Sequence, residues 1–464
     1  MRGERGARRP RVLYLAFYFP PSRASGVYRA RATANHLMSR GWDVTVCAAP
    51  VDFLRDVLGS VDTDLAATVA PEIRVERPAL QRFAWEKDVR RYGRFRRNLP
   101  RTAQKLYQLG QRLGFPEHYA SWGLASVARA LRLHRRQRFD VVLATGNPFA
   151  SFGAAWLFHR LTGVPYVLDY RDSWTLDLFT NGPAFPAGHP AWAWERRVLG
   201  QAAGVAFVND ALRDWHARRY PAVADRMMVV PNGWDPDVAT ATEAAPQRTA
   251  GPLRFAYLGT VTRVQPIEEL VGGFALARGH AELADAQLHI HGHLGFNPNG
   301  ARDLLDRLGA DRPDTGVRYR GPVSKTEVAS VYEDSDVLVF LAGGSKYVTS
   351  GKIFEYMTTG RPIVSVHAPG IAAEEVLADY PLWFRARSLE PADVADAMLR
   401  AGRAAHALDP GQRAAARRHA DRYARDLTLA PLEARLRSLL PASAAGDGAG
   451  ADPVGVEDRD HARR

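Results

Sequence analysis

The run Val12-Leu-Tyr-Leu-Ala-Phe-Tyr-Phe, stopped by Pro20-Pro21, is followed by a helical stretch from Val27 to Arg40 and a second apolar run from Asp43 to Ala48. Strand, crossover helix and strand in that order form a βαβ unit, and its two strands lie parallel because the helix carries the chain back to the starting edge. The unit recurs. Asp140-Val-Val-Leu-Ala, a helix from Phe149 to Thr162 and Pro165-Tyr-Val-Leu-Asp repeat it, and Val205-Ala-Phe-Val adds a further strand. A second series opens behind the polar, Ala/Pro-rich stretch Thr240 to Gly251, which has linker composition. It runs through strand Leu253-Arg-Phe-Ala-Tyr-Leu, a helix from Ile267 to Arg278, Ala286-Gln-Leu-His-Ile-His and Gly316-Val-Arg-Tyr-Arg. It continues with a short helix from Lys325 to Glu333, Asp336-Val-Leu-Val-Phe-Leu, a helix from Gly351 to Thr359 and Pro362-Ile-Val-Ser-Val. Two doubly wound parallel sheets joined by a linker predict a cleft at the carboxyl ends of the strands, where such sheets hold ligands.

A chain of 464 residues exceeds what one core supports. The expected division is an N-terminal domain over 1–210 with a basic insertion at about 80–115, a connecting segment and linker over 211–251, and a second domain over 252–405. C-terminal helices follow over 406–440, then a small, polar tail over 441–464 that reads as disordered. The 46% apolar content is that of a globular protein. One cysteine, Cys47, excludes an intrachain disulfide framework and reads as a core thiol. The net charge of +12 favours anionic partners. Behind the basic start the apolar stretch ends at Pro20-Pro21 without a small-residue cleavage site, and the stretch Val141 to Phe158 is broken by Gly146-Asn147-Pro148. Neither a leader nor a membrane span is predicted, so a cytoplasmic protein is expected, placed peripherally on the inner face of the plasma membrane if it meets a bilayer.

Chemistry concentrates in Lys346-Tyr-Val-Thr-Ser-Gly-Lys-Ile-Phe-Glu-Tyr-Met-Thr-Thr-Gly-Arg-Pro. Thr349 and Ser350 fit N-cap positions, and Gly360 with Pro362 stops the helix. At 100° per residue Lys352, Glu355, Tyr356 and Thr359 share one face, expected to meet the cleft, while Ile353, Phe354 and Met357 pack on the sheet. A glycine-preceded helix N-terminus presents N–H groups and a positive dipole end suited to a diphosphate, and a carboxylate one turn in can accept two ribose hydroxyls. The plainer alternative is a surface helix with an i,i+3 Lys352/Glu355 ion pair. In Tyr257-Leu-Gly-Thr-Val-Thr-Arg-Val-Gln-Pro a strand enters a turn at Gly259, which permits close backbone approach, and Arg263 offers a fork of donors to phosphate, or is a solvated loop arginine. Strand Leu288-His-Ile-His ends at Gly292; His289 and His291 have no acid or cysteine at ligand spacing, so no metal is expected there.

These segments resemble the retaining glycosyltransferases of family 4, of GT-B fold, and in particular the branch acting on sugars of bacterial surface polysaccharides. The resemblance extends through Ser25-Gly-Val-Tyr-Arg-Ala-Arg-Ala with Leu37-Met-Ser-Arg-Gly-Trp-Asp-Val-Thr-Val, Val164-Pro-Tyr-Val-Leu-Asp-Tyr-Arg-Asp-Ser-Trp, Val230-Pro-Asn-Gly-Trp-Asp, and Tyr319-Arg-Gly-Pro-Val-Ser-Lys with Tyr332-Glu-Asp-Ser-Asp-Val. It implies that Glu355 binds the donor ribose, that the amides of Ser350, Gly351 and Lys352 take phosphate oxygens, and that Arg263 counters the diphosphate. Gly292 would flank the nucleotide and the backbone near Val323 would meet the base. With Gly26, Gly259, Thr260, Tyr347 and Ile353 these form the expected donor-binding set, of which Arg263, Lys352 and Glu355 are the expected catalytic groups. Arg29, Asn147 and Asp172 are the expected acceptor-side residues. The chain departs from the family in having Tyr347 where the first of two glutamates stands, and Thr260 and Gln265 in place of a basic pair.

The implied reaction is transfer from a nucleotide-diphosphate sugar, UDP favoured over GDP, to a carbohydrate or polyisoprenyl-diphosphate-linked acceptor, retaining and without metal or other cofactor; no Asp-x-Asp stands at a strand end to hold an ion. Between Arg82 and Arg112 ten Lys/Arg face two acids, with Phe83, Trp85, Tyr92, Phe95 and Tyr107 interleaved. That segment reads as a surface for anionic lipid or a lipid-diphosphate, or as a solvated basic face; no nucleic-acid module accompanies it, and no nucleic-acid partner is expected. A nucleotide-sugar epimerase and a non-catalytic scaffold are the rival readings. A nicotinamide dehydrogenase would need Gly-x-Gly-x-x-Gly after its first strand, where Pro20-Pro-Ser-Arg-Ala-Ser-Gly stands.

Overall fold

The strands of the N-terminal half are apolar on both faces, as strands covered by helices on both sides are. The computed structural model describes residues 8–441 apart from 60, 179, 239–250, 296–300, 311, 313 and 324–326. The expected linker up to residue 250, the tail from 442 and the basic start through residue 7 therefore lie outside the described residues. The strands are β1 (Arg11–Leu15), β2 (Asp43–Cys47), β3 (Arg74–Glu76), β4 (Val141–Gly146) and β5 (Tyr166–Tyr170), a small antiparallel pair β6 (Leu176–Asp177) and β7 (Gly182–Pro183), then β8 (Gly204–Phe207) and β9 (Met227–Val229). Among the described residues the first sheet has the order β3-β2-β1-β4-β5-β8-β9, parallel throughout. Its last strand comes from the stretch expected to connect the domains. Alternation along β1 divides the core: Leu13 and Leu15 enter one cluster with Phe17, Trp122 and Phe152, whereas Val12 and Tyr14 enter another with Trp42 and Val44. Each buried Val or Leu adds about 1.5–3 kcal/mol.

The second sheet comprises β10 (Arg254–Leu258), β11 (Gln287–His291), β12 (Val317–Gly321), β13 (Val337–Leu341), β14 (Ile363–Val366) and β15 (Trp383–Arg385), ordered β12-β11-β10-β13-β14-β15. It is also parallel, so the doubly wound reading holds in both halves. The helix Val27–Ser39 follows β1 and the helix Gly351–Thr358 follows β13, both starting at the carboxyl ends of central strands. The final helices cross back: Leu429, Leu432 and Leu436 pack into the N-terminal cluster of Val12 and Trp42, and the Trp42 indole donates to Glu433 at 3.0 Å. The chain thus passes between the halves twice, side by side. Trp234 N–H donates to the Tyr423 carbonyl (3.1 Å) and Arg425 N–H to the Trp234 carbonyl (3.0 Å).

Arg29 on the Val27–Ser39 helix corrects one expectation. It does not face an acceptor; it is buried against Asp169 of β5, with Nη2 donating to Oδ1 at 2.8 Å and Nε to Oδ2 at 3.0 Å. The same guanidinium donates to the Val230 carbonyl at 3.0 Å, and Thr145 donates to Asp169 at 3.1 Å. A buried carboxylate needs a charge partner, and here the partner also fastens the loop behind β9. Removing one member of such a pair strands the other, so Arg29→Met is expected to lower stability by about 3–5 kcal/mol, read as a shift in the urea midpoint at unchanged slope.

Candidate functional site

Three strand ends in the C-terminal half converge where the chain turns outward. Gly259 N–H donates to the His291 carbonyl (2.9 Å), and Gly292 N–H to the Gly321 carbonyl (2.8 Å). Gly292 has φ +136°, and a Cβ there would stand 1.9 Å from the Gly259 carbonyl oxygen, so the two loops touch backbone to backbone. Thr260 accepts from the Tyr257 hydroxyl through its carbonyl. Val323 lies half-buried against the cluster containing Tyr332. His289 and His291 stand as period-two neighbours on one face of β11, their ring centroids 6.2 Å apart, with His289 bonding Gln287 at 3.0 Å, and burial holds His291 below the ordinary imidazole range. Among the described residues no three His, Cys, Asp or Glu side chains stand together as a metal site.

The helix Gly351–Thr358 begins beside this edge. Ser350 caps it, its hydroxyl accepting from Lys352 N–H at 3.3 Å, and the Ile353 amide bonds the Ser350 carbonyl. Lys352 N–H is thus held by the cap and not aimed outward as expected, while Ile353 contributes its side chain to the core. Tyr356 and Thr359 also differ from expectation. Both are buried: the Tyr356 hydroxyl donates to the Leu258 carbonyl (3.2 Å) and accepts from Leu258 N–H (2.9 Å), so this phenol spends its polarity on the end of β10. Lys352, Glu355 and Thr358 remain on the open face. Lys352 Nζ donates to Glu355 Oε2 at 2.8 Å and the Tyr332 hydroxyl to the same oxygen at 3.0 Å. Burial, then the Glu355 charge, raise Tyr332 well above the usual phenol range, which keeps it a donor.

Glu355 opens into a pocket of about 240 Å³, against the roughly 10–15 Å³ that one water needs. Ser350, Gly351, Lys352, Glu355 and Tyr332 line one wall, and Ser25 and Tyr28 of the N-terminal half line the other. Burial and the Glu355 carboxylate push the Tyr28 phenol upward. Trp234, Asp235 and Arg425 close the end where the chain passes between halves, with Arg425 Nε 2.9 Å from Asp235 Oδ1 and both nearly buried. Burial lowers Arg425 from its ordinary value. Tyr28, Tyr332, Trp234 and Asp235 stand in segments that carry the family resemblance, but only tertiary packing brings them to the pocket. Arg425, on an Ala/Arg/Leu-rich helix, carries no local signal.

Of the expected donor residues, Ser350, Gly351, Lys352 and Glu355 line this pocket, whereas Gly26, Gly259, Thr260, Arg263, Gly292, Val323, Tyr347 and Ile353 do not. Arg263 is largely exposed and pairs with Asp303 at 3.1 Å, outside the pocket lining. Tyr347 inserts its ring into the N-terminal core cluster, and its carbonyl accepts from Asn209 at 3.0 Å. Where the family pattern has an acid, this chain has an anchor. On the N-terminal side, Gly26, Asn147 and Asp172 meet around Arg171: Nη2 donates to the Asn147 carbonyl at 2.8 Å, Nη1 lies 3.1 Å from Asp172, and a Cβ on Gly26 would fall 2.1 Å from the guanidinium carbon.

Residues 26–233 match the family model of the glycosyl transferase 4-like domain, and residues 252–402 that of the glycosyl transferases group 1. No curated protein sequence matches the chain. Among solved structures, a glycosyltransferase of Rickettsia africae superposes with TM-score 0.62 at 12% identity, covering 93% of this chain and 99% of its own. HepE of Anabaena in complex with UDP-glucose gives 0.59 at 15%, covering 93% and 100%. Sucrose-phosphate synthase of Thermosynechococcus elongatus gives 0.55 at 15%, covering 94% and 96%. At such identities the likeness shows the fold.

Gly292 at the strand ends and Gly351 at the pocket separate backbone need from open space. Gly292→Ala forces a side chain onto the Gly259 carbonyl at positive φ and is expected to cost about 2–3 kcal/mol of stability. Gly351→Ala, whose added Cβ meets nothing within 4 Å, is expected to stay within about 0.5 kcal/mol of the parent in the same denaturation measurement.

Proposed function

We propose that this chain, which belongs to the GT-B glycosyltransferases with a 4-like and a group 1 domain, transfers a sugar from a nucleotide-diphosphate donor, UDP favoured, to a carbohydrate or polyisoprenyl-diphosphate-linked acceptor at an anionic membrane surface, in the synthesis of bacterial cell-surface polysaccharide or glycoconjugate. The observation that carries the reading is Glu355, held by Lys352 and Tyr332 on the open face of a helix whose N-terminus borders a pocket shared by both halves. The anion end of the donor faces that N-terminus and the Gly351 backbone, and Glu355 accepts two ribose hydroxyls. The UDP preference draws support from the Anabaena likeness, that protein having been solved with UDP-glucose.

Departure of a nucleoside diphosphate requires stabilisation of its developing charge more than a strong nucleophile. The helix dipole and Lys352 supply it from the pocket wall. Arg263 joins by leaving Asp303, which costs little because exposed ion pairs are worth about 0–1 kcal/mol. As the anomeric C–O bond to the β-phosphate breaks, the acceptor oxygen bonds the same face of the sugar and passes its proton to the departing phosphate oxygen. The anomeric configuration is kept, and no metal takes part. Gly26, Asn147 and Asp172, gathered around Arg171, form the acceptor side.

Uridine diphosphate at saturating concentration is expected to raise the melting temperature, since it binds the folded state alone. Glu355→Gln, which exchanges charged hydrogen bonds for neutral ones, is expected to reduce kcat/KM on the order of 100-fold, with transfer by the parent unchanged in EDTA and the product anomer, read by NMR, matching the donor. Absence of both nucleotide stabilisation and transfer with UDP-, GDP- and TDP-sugars would leave the non-catalytic scaffold.

A further inference from the structure

The helix Pro100–Leu113 is packed through little more than Ala103 and the half-buried Tyr107. Its leucines point away from the protein: Leu99 at its N-cap is 51% exposed, Leu106 54%, Leu109 48% and Leu113 80%. At 100° per residue these four fall within an arc of about 80°, a continuous stripe rather than scattered apolar residues. Arg101, Lys105 and Arg112 follow along the neighbouring arc, each exposed. The other edge of the stripe is the packed one, where Tyr107 stacks on Phe83 (4.4 Å between ring centroids) and on His118 (5.8 Å), while Arg96 lies 4.1 Å over Phe83. The segment is therefore built to hold this helix out with its leucines uncovered.

Its far end is tied to the acceptor side. The Gly114 carbonyl accepts from the Trp194 indole at 2.7 Å, Phe115 stacks on Trp174 at 5.3 Å, and Glu117 accepts from Phe149 N–H at 2.9 Å. Trp174 follows Asp172 by two residues and Phe149 follows Asn147 by two, so whatever surface receives the leucines lies beside the acceptor loops.

We infer that the Pro100–Leu113 helix lies in the interface of an anionic bilayer, with Leu99, Leu106, Leu109 and Leu113 among the acyl chains and Arg101, Lys105 and Arg112 on lipid phosphates. An apolar arc bordered by cations is the pattern of such helices, and the ten-to-two excess of basic residues over 82–112 gives the partner its sign. This deepens the acceptor-side reading and rests on the protein meeting a membrane there; it does not rest on the transfer chemistry.

Co-sedimentation of the full chain with vesicles of phosphatidylcholine containing phosphatidylglycerol, against phosphatidylcholine alone, tests it. The parent is expected to sediment with the anionic vesicles, and Leu106→Glu/Leu109→Glu to weaken binding by at least roughly tenfold. Arg101→Glu/Lys105→Glu is expected to weaken it comparably, and the melting temperatures of both variants to match the parent because the altered side chains are exposed. Anionic-vesicle binding that the leucine variant retains in full would overturn the insertion, as would a parent that sediments with neither vesicle and forms a dimer that the leucine variant splits. Uridine diphosphate stabilisation, measured on the same proteins, reports separately on the glycosyltransferase reading: its loss in all of them would leave the vesicle result standing.

Discussion

The helix that begins at Gly351 is held in register from the opposite half of the molecule. Its approach loop gives the Tyr347 and Thr349 carbonyls to Asn209 and Asn232, and sinks the Tyr347 ring into the N-terminal core. A short helix has little capacity to position itself, since helices below a dozen residues are marginal without tertiary support. Here the support is a cross-domain anchor two to four residues before the first helical amide. The pocket depends on it: Ser350, Gly351, Lys352 and Glu355 on one wall meet Ser25 and Tyr28 on the other because the loop between them is bonded to both sides.

Charge is arranged differently at the two depths of the site. Deep in the N-terminal sheet Arg29 and Asp169 are fully paired and further bonded to backbone, an arrangement that holds structure and leaves nothing to offer a ligand. At the pocket, Lys352 and Glu355 are partly open, and their partnership is the weaker i,i+3 kind. Such a pair can exchange partners with a diphosphate and a ribose at small cost. Arg425 and Asp235 lie between these extremes, buried enough to be structural and placed at the end of the same pocket.

The sheets were legible because parallel strands read as unbroken apolar runs, and β1, β2, β4, β5, β10, β11 and β13 stand within a residue or so of the expected stretches at most ends. β1 is the main exception, ending at Leu15 although the apolar run continues to Phe19; those last residues form buried loop. Side-chain direction was less legible. Its hydroxyl puts Tyr356 on the polar side of the helical pattern, but this helix buries more than half its circumference, and the phenol bonds both backbone groups of Leu258. Motif position alone points Arg263 and Tyr347 at the donor. Their actual partners, Asp303 and the N-terminal core, are set by tertiary contacts that local spacing does not encode. Arg425 was invisible for the same reason, since its role depends on where a distant terminal helix returns.

That return has a mechanical consequence. With strands of chain crossing at 233–235 and 423–425 and bonded to one another, the halves share two adjacent covalent tethers. One flexible tether would permit swivel in every direction, whereas two side by side define a line and leave rotation about it as the easy motion. The lobes should therefore swing as a door does, always bringing the same pair of rims together, and the residues nearest the axis, Trp234 and Arg425, should travel least.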